Sequence, residues 1–379
     1  MGSRCHGLTL ARLVSQAALF LLIIPFVPAA RGANSQPGLV KGAIGDSVLV
    51  LNGPWRFHPG DNMAWASLNF DDSSWGAVDL TPPEGSYDPI TGSSGFVPGW
   101  TANGYPRLAD YAWYRLRVQL QNQGSATEAP ALALAMPLNF DDAYQVYVNG
   151  QEIGQFGRFT SHGVTFYNAQ PRSFPIPARP QNGVLTIAIR FWMDSGTPLA
   201  SQDAGGLHGP PLLGESSAID AMLRLAWDAV NRTQVGNLLS IIFLFLATLL
   251  GFTLYWLDRN DPAYLWLGAV CISGLLSRAS VWMGYYTVIL PMVPEVFIQD
   301  VFLSPLTLGL WALFWAYWFK LEDLRKIARI SWTLTALLTV GMSTVRTPVL
   351  GKVVPVDAAA WLLPVALVLR WDAPGSAAA

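Results

Sequence analysis

Near residue 235 the chain changes its solvent. Upstream, from Ser47 to about Gly214, short runs rich in Val, Ile, Tyr and Trp are broken by Gly, Pro, Asn and Asp. Downstream, Gly236 to Leu257 is an uncharged apolar run long enough to cross a bilayer. A chain divided in this way has to fold its first part against water and its second against lipid. Its composition, 52% hydrophobic and 13% charged, is that of a membrane protein. A net charge of -2 and the lack of any long basic block argue against nucleic acid as a partner.

The N-terminus carries Arg4 and Arg12, an apolar run from Ala17 to Val27, and small residues at Ala29, Ala30, Gly32 and Ala33, the layout of a cleaved secretory signal over residues 1–32. An uncleaved anchor is the alternative, although the run is short of the roughly 20 residues that a span needs. The two cysteines are Cys5, in the signal, and Cys271, in an apolar span, so the exported domain is expected to hold without a disulfide.

Within the exported segment, Trp113 to Leu120 alternates, with Tyr114, Leu116, Val118 and Leu120 on one face and Arg115, Arg117 and Gln119 on the other. The first face predicts a core, the second a wet or ligand-facing surface. Tyr144, Val146 and Val148 share a face in the next strand, and Asn149-Gly150 supplies the two positive-φ residues of a type I′ hairpin. Val184 to Trp192 repeats the alternation. The expected architecture is an antiparallel sandwich or jelly roll over residues 33–214.

The pieces Leu51-Asn52-Gly53-Pro54-Trp55-Arg56-Phe57, Trp65, Phe70-Asp71-Asp72-Ser73-Ser74-Trp75, Trp113-Tyr114-Arg115 and Asp141-Asp142-Ala143-Tyr144-Gln145-Val146-Tyr147-Val148-Asn149-Gly150 come in this order across the domain. Together they resemble the jelly-roll, galactose-binding-like domain that precedes the catalytic barrel of family 2 glycoside hydrolases. The resemblance implies a fold and leaves the ligand open. Trp55, Trp75 and Trp113 read as core, with sugar-stacking platforms as the other reading. Trp100, Tyr105 and Tyr111, in or beside the Gly/Pro-rich stretch Gly92 to Arg107, are the candidate ligand-binding residues, because a loop of that length in a β-domain tends to be functional.

Catalysis finds no constellation. Asp71-Asp72 and Asp141-Asp142 are adjacent pairs in turn-like positions, suited to capping backbone amides rather than to the separated carboxyl pair of glycoside cleavage. His58, His162 and His208 lack metal-ligand spacing, and Gly92-Ser93-Ser94-Gly95 is not a nucleophile elbow. No catalytic residue, metal or cofactor is expected.

Residues 215–235 read as a short juxtamembrane helix, with Ile219, Met222, Leu223, Ala226 and Val230 at helical spacing and Ser216 or Ser217 as its cap. Asn231-Arg232-Thr233 matches a glycosylation triplet by coincidence. A helical transmembrane bundle follows over 236–370, with spans expected at Gly236–Leu257, Tyr264–Tyr286, Val296–Phe319, Ile330–Val345 and a fifth at Ala358–Leu369, ahead of a tail over 371–379. Lys320, Arg325, Lys326 and Arg329 follow the third span, whereas Tyr286 to Glu295 carries no Lys or Arg. The positive-inside rule then leaves the β-domain outside the inner membrane of a bacterium, as the signal also does. Arg278 and Asp300 fall at similar depth in neighbouring spans and could form an intramembrane ion pair; a switchable pair is the functional reading, and a static pair or two side chains snorkelling outward is the favoured alternative.

A β-domain followed by such a bundle is similar to the bacterial seven-transmembrane receptors with diverse intracellular signalling modules. That resemblance implies an extracytoplasmic sensor of a saccharide or small molecule, a bundle embedded in membrane lipid, and a cytoplasmic output such as a histidine kinase, diguanylate cyclase or serine/threonine phosphatase. This sequence has fewer recognisable spans and ends at Asp372-Ala373-Pro374-Gly375-Ser376 and three alanines without such a module, which implies a signalling partner, a homodimer or a truncated relative. An anchored enzyme and a membrane-anchored interaction module are the rival classes.

Overall fold

The structure is a computed structural model that describes residues 38–43, 48–87, 94–121, 131–177, 183–197 and 203–344. The expected signal over 1–32, the fifth span and the tail lie outside the described residues. Thirteen strands come first: β1 (Leu39–Ala43), β2 (Leu49–Val50), β3 (Trp55–Pro59), β4 (Gly76–Val78), β5 (Asp110–Gln121), β6 (Leu132–Met136), β7 (Ala143–Val148), β8 (Gln151–Phe156), β9 (Arg158–Thr160), β10 (Gly163–Thr165), β11 (Arg172–Pro175), β12 (Val184–Met193) and β13 (Leu212–Glu215). A seven-stranded sheet runs β4-β3-β5-β12-β7-β8, with β1 added parallel to the far half of β5. The second sheet runs β11-β6-β13-β2, and β9 and β10 form a separate hairpin.

Alternation decides which side chains meet between the sheets. Tyr114, Leu116 and Val118 of β5, Tyr144 and Val146 of β7, and Ile187, Ile189 and Phe191 of β12 share one core with Leu132, Leu134, Met136, Phe174 and Leu213 of the smaller sheet. Asn149 and Gly150 both take positive φ, 52° and 85°, as a type I′ turn requires between β7 and β8.

The opposite face of β5 departs from the wet surface expected of it. A 3-10 turn, Met63–Ala66, and the segment after it lie over this face, and Trp75, Trp113 and Tyr147 form a second buried cluster with Ala66 and Ala188. Arg115 at the centre is 0% exposed. Its Nε donates to Asp72 Oδ2 at 2.9 Å, Nη2 to the Ser67 carbonyl at 3.1 Å and Nη1 to the Trp65 carbonyl, while Arg117 Nη1 takes Asp72 Oδ1 at 2.9 Å. The covering segment is thus held by a doubly paired carboxylate as well as by aromatic area.

The helices are α1 (Ser216–Leu257), α2 (Ala263–Tyr286), α3 (Met292–Val296), α4 (Ser304–Trp318) and α5 (Leu324–Thr344), with a π-helical stretch, Phe297–Leu303, joining α3 to α4. Among the described residues three stretches are long and apolar enough to cross a membrane: Ser216–Leu257, Ala263–Tyr286 and Met292–Trp318. The short helix expected over 215–235 is the beginning of α1, because no proline interrupts the sequence before Leu257. At 1.5 Å per residue α1 extends roughly 63 Å, about twice the thickness of a hydrocarbon core. Its N-terminal neighbour Glu215 makes no side-chain cap, and Ser216 instead donates to the Ala131 carbonyl. The fourth expected span, Ile330–Val345, falls on the later part of α5, after Arg325, Lys326 and Arg329, and its described residues, 330–344, are fewer than the roughly 20 of a span.

Candidate functional site

The three aromatic residues expected at a ligand site do not converge. Trp100 is 2% exposed, packed against Phe57, Tyr114 and Phe191, and its Nε1 donates to the Leu108 carbonyl at 3.0 Å. The Gly/Pro-rich loop therefore closes over its own indole, and Gly205 (φ +117°) passes so near that a Cβ there would lie 2.5 Å from Trp100 Cδ1. Tyr105 packs edge-on against Phe57, 5.0 Å between centroids. Tyr111 lies on the opposite side of the sheet, half-buried beneath the Arg190 guanidinium at 4.2 Å.

Around Tyr111 the outer face of the large sheet carries a polar network. Arg190 grips Asp61 with two bonds, Nε to Oδ1 at 2.8 Å and Nη2 to Oδ2 at 2.5 Å, and gives Nη1 to Gln145 at 2.7 Å. Gln145 Nε2 reaches Glu152 at 3.3 Å and Gln155 at 3.1 Å, and Trp113 Nε1 donates to Asp61 at 3.1 Å. Burial, helped by the nearby Glu152 carboxylate, pushes the Tyr147 hydroxyl up to about 12. Arg190 is thereby committed to holding β12, β7 and the 61–66 turn together.

Of the two acidic pairs, Asp71, Asp141 and Asp142 cap backbone amides, whereas Asp72 is taken by Arg115 and Arg117. Asp71 Oδ1 accepts from Ser73 N at 3.0 Å, and Asp142 Oδ2 accepts from Asp194 N at 2.7 Å and Thr197 Oγ1 at 2.9 Å. Asp141 Oδ2 accepts from Gly205 N at 2.5 Å and lies 3.0 Å from His208 Nε2, whose ring stacks on Phe96. Burial raises the Asp142 carboxyl to about 7. Among the described residues no group of three His, Cys, Asp or Glu side chains is placed to hold a metal ion.

The β-domain and the helices meet at a joint that sequence reading missed. The segment between β10 and β11 brings Phe166, Asn168 and Gln170 against the corner between α2 and α3. Asn168 Nδ2 donates to Glu295 Oε2 at 2.7 Å, Gln170 Nε2 to the carbonyls of Thr287 at 3.0 Å and Gly284 at 3.3 Å, and Met292 N to the Phe166 carbonyl at 2.9 Å. Gly284 leaves room for this contact, since a Cβ there would displace the Asn168 amide and the Glu295 carboxylate. A second connection is covalent: β13 ends at Glu215 and α1 begins at Ser216, with Ile219 buried against Ala133 and Ala135 on the outer face of the smaller sheet. Tyr286 at the end of α2 returns to α1, its hydroxyl 2.8 Å from Asn231 Oδ1. The one available signal was Glu295, a carboxylate at the start of an apolar run.

Arg278 and Asp300 are both exposed and make no ion pair with each other, an arrangement that fits the two side chains turned outward rather than the switchable pair. Gln299 faces α2 instead: Ser277 Oγ donates to its Oε1 at 2.9 Å and its Nε2 donates to Ser280 Oγ at 3.0 Å. Gln299 and Asp300 both lie in the π-helical stretch Phe297–Leu303.

No protein-family model matches the chain, and no curated protein matches it. Solved structures do match over 44% of it: a β-glucuronidase of Bacteroides uniformis at 20% identity and a TM-score of 0.30, a family 2 glycosyl hydrolase of Bacteroides cellulosilyticus at 16% and 0.30, and a β-glycosidase of Bacteroides vulgatus at 18% and 0.27. The matched region covers 17%, 20% and 20% of those chains, so this chain spans a fifth or less of each. The likeness sets the sheet-rich region beside domains of family 2 glycoside hydrolases and carries no argument about activity.

Proposed function

We propose that this chain is a bacterial inner-membrane receptor whose outward-facing β-sandwich, of jelly-roll type, senses a saccharide-class ligand and passes the change to the apolar helices and a cytoplasmic partner. The observation that carries the reading is the two-point connection of sheet to helix. Displacing the 166–170 segment moves the α2–α3 corner through Asn168 and Gln170, and tilting the smaller sheet moves α1 through Ile219 and the linkerless junction at Ser216. A ligand that favours one packing of the sandwich thereby biases one arrangement of the helices. Acidic side chains engaged in capping and pairing favour sensing over an anchored enzyme.

The test is hydrogen exchange on the full chain in lipid nanodiscs, with and without a saccharide found to bind it. Protection changing together at 166–170 and 284–296 supports the relay. Saccharide binding that leaves 284–296 unaltered would reduce the protein to an anchored binding module.

A further inference from the structure

We propose that a cavity of about 490 Å³ beside β1, lined by Gly38, Arg56, Asp71, Asp72, Ser73 and Arg117, is a binding pocket for a neutral mono- or disaccharide. The proposal deepens the receptor reading and rests on it. The volume is within the range of small-molecule sites, roughly 300–1,000 Å³. The walls are built for other reasons and are firm: Arg117 is held by Asp72 and by the Phe70 carbonyl at 3.2 Å, and Asp72 is shared with the buried Arg115. Gly38 donates its N–H to the Pro54 carbonyl at 2.9 Å and lies against the stem of Arg56, where a Cβ would come within 2.9 Å of Cγ.

Within this frame, the groups left over suit a polyhydroxylated ligand. Arg56 donates Nη1 to the Trp75 carbonyl at 3.1 Å and lines the cavity with its guanidinium, while its Nε is buried beneath Gly38 without an acceptor. Asp71 is exposed, and the Ser73 amide and hydroxyl, with Arg117 and Arg56 nearby, hold its carboxyl below the usual carboxylate range. An ionised carboxylate has about four acceptor sites, and the two Ser73 bonds use two of them. Vicinal hydroxyls can donate to such a carboxylate and accept from a neighbouring guanidinium, both charge-assisted bonds. Two guanidinium groups and two carboxylates leave the lining without net charge, so an added carboxylate or phosphate would meet Asp71 as a repelling neighbour.

The experiment is calorimetric titration of the full chain in nanodiscs with glucose, galactose, cellobiose and lactose, and with glucuronate as the charged probe. Saturable binding of a neutral sugar, weakened at least tenfold by Asp71→Asn and by Arg56→Gln, is the expected result. Asp71 is exposed, so its variant should unfold at the unaltered temperature. Neutral-sugar binding that persists within twofold in both variants would overturn this pocket and leave the receptor reading standing. Tighter binding of glucuronate would overturn the neutral assignment alone, and no binding of any neutral sugar would overturn both pocket and saccharide reading.

Discussion

Asn168 and Glu295, 127 positions apart in the chain, meet at 2.7 Å where the β-domain touches the helices. Glu295 is buried, so truncation to Ala strands the Asn168 amide, and leaving a buried polar group unpaired costs about 1–3 kcal/mol. Glu295→Gln keeps an acceptor carbonyl and is expected to retain most of the stability. Thermal unfolding of the full chain in micelles, followed by tryptophan fluorescence, checks this: Ala and Gln variants of equal stability would mean that the bond does not contribute.

The Arg115–Asp72 pair makes a stronger demand. Asp72→Ala removes the carboxylate from a guanidinium with no solvent contact, and breaking a buried pair from one side costs about 3–5 kcal/mol. The loss should be nearly independent of salt, because a buried pair is little screened. Denaturant unfolding at low and high ionic strength measures both properties.

The apolar helices α1 and α2 cross at glycines. A Cβ on Gly251 would lie 2.8 Å from the Gly268 backbone nitrogen, so Gly251→Leu is expected to force the helices apart, whereas Gly236→Ala, where nothing lies within 4 Å of the added carbon, is expected to be tolerated. Limited proteolysis of the loop at 258–262 reports the separation. Equal resistance in both variants would show that the crossing is not tight.

What the sequence made legible was local. Alternation in Trp113–Leu120 identified the core face of β5, Asn149-Gly150 identified the β7–β8 turn, and hydropathy located the apolar stretches of α1, α2 and α3–α4. The misses have non-local causes. Trp100 sits in a loop whose closure depends on Gly205, far along the chain, and the wet appearance of Arg115 ignored a covering segment that precedes it by some 40 residues. Asn168 and Gln170 look like ordinary loop residues until the α2–α3 corner arrives. Arg278 and Asp300 were placed by depth alone, and depth does not decide between a pair and two outward side chains.

That choice gives its own prediction. In double-mutant cycles Arg278→Ala and Asp300→Ala should be additive within about 0.3–0.5 kcal/mol, as unconnected sites are. Ser277→Ala and Gln299→Ala share a hydrogen bond and should show a coupling of about 0.6 kcal/mol, typical of polar contacts between apolar helices. Coupling in the charged cycle and none in the polar one would reverse the assignment.

Asp142 ties stability to pH. Its carboxyl titrates at about 7 in the folded protein against an ordinary 3.8, because burial disfavours the charge. The folded state therefore holds a proton that the unfolded chain has released between these values, and the unfolded state binds fewer protons across that window. Stability falls as pH rises from about 4 to about 7 and levels off above it. At about 1.36 kcal/mol per unit the full penalty is at most about 4 kcal/mol. Asp142→Asn removes the titration while its amide oxygen can still accept from Asp194 N and Thr197 Oγ1, and Asn suits the positive φ of 59° at this position. The variant should match the parent below pH 4 and exceed it increasingly up to pH 7, as read from unfolding free energies across that range. A gap that shrinks with rising pH would mean that Asp142 is stabilised in its charged form, with the two donor bonds outweighing burial.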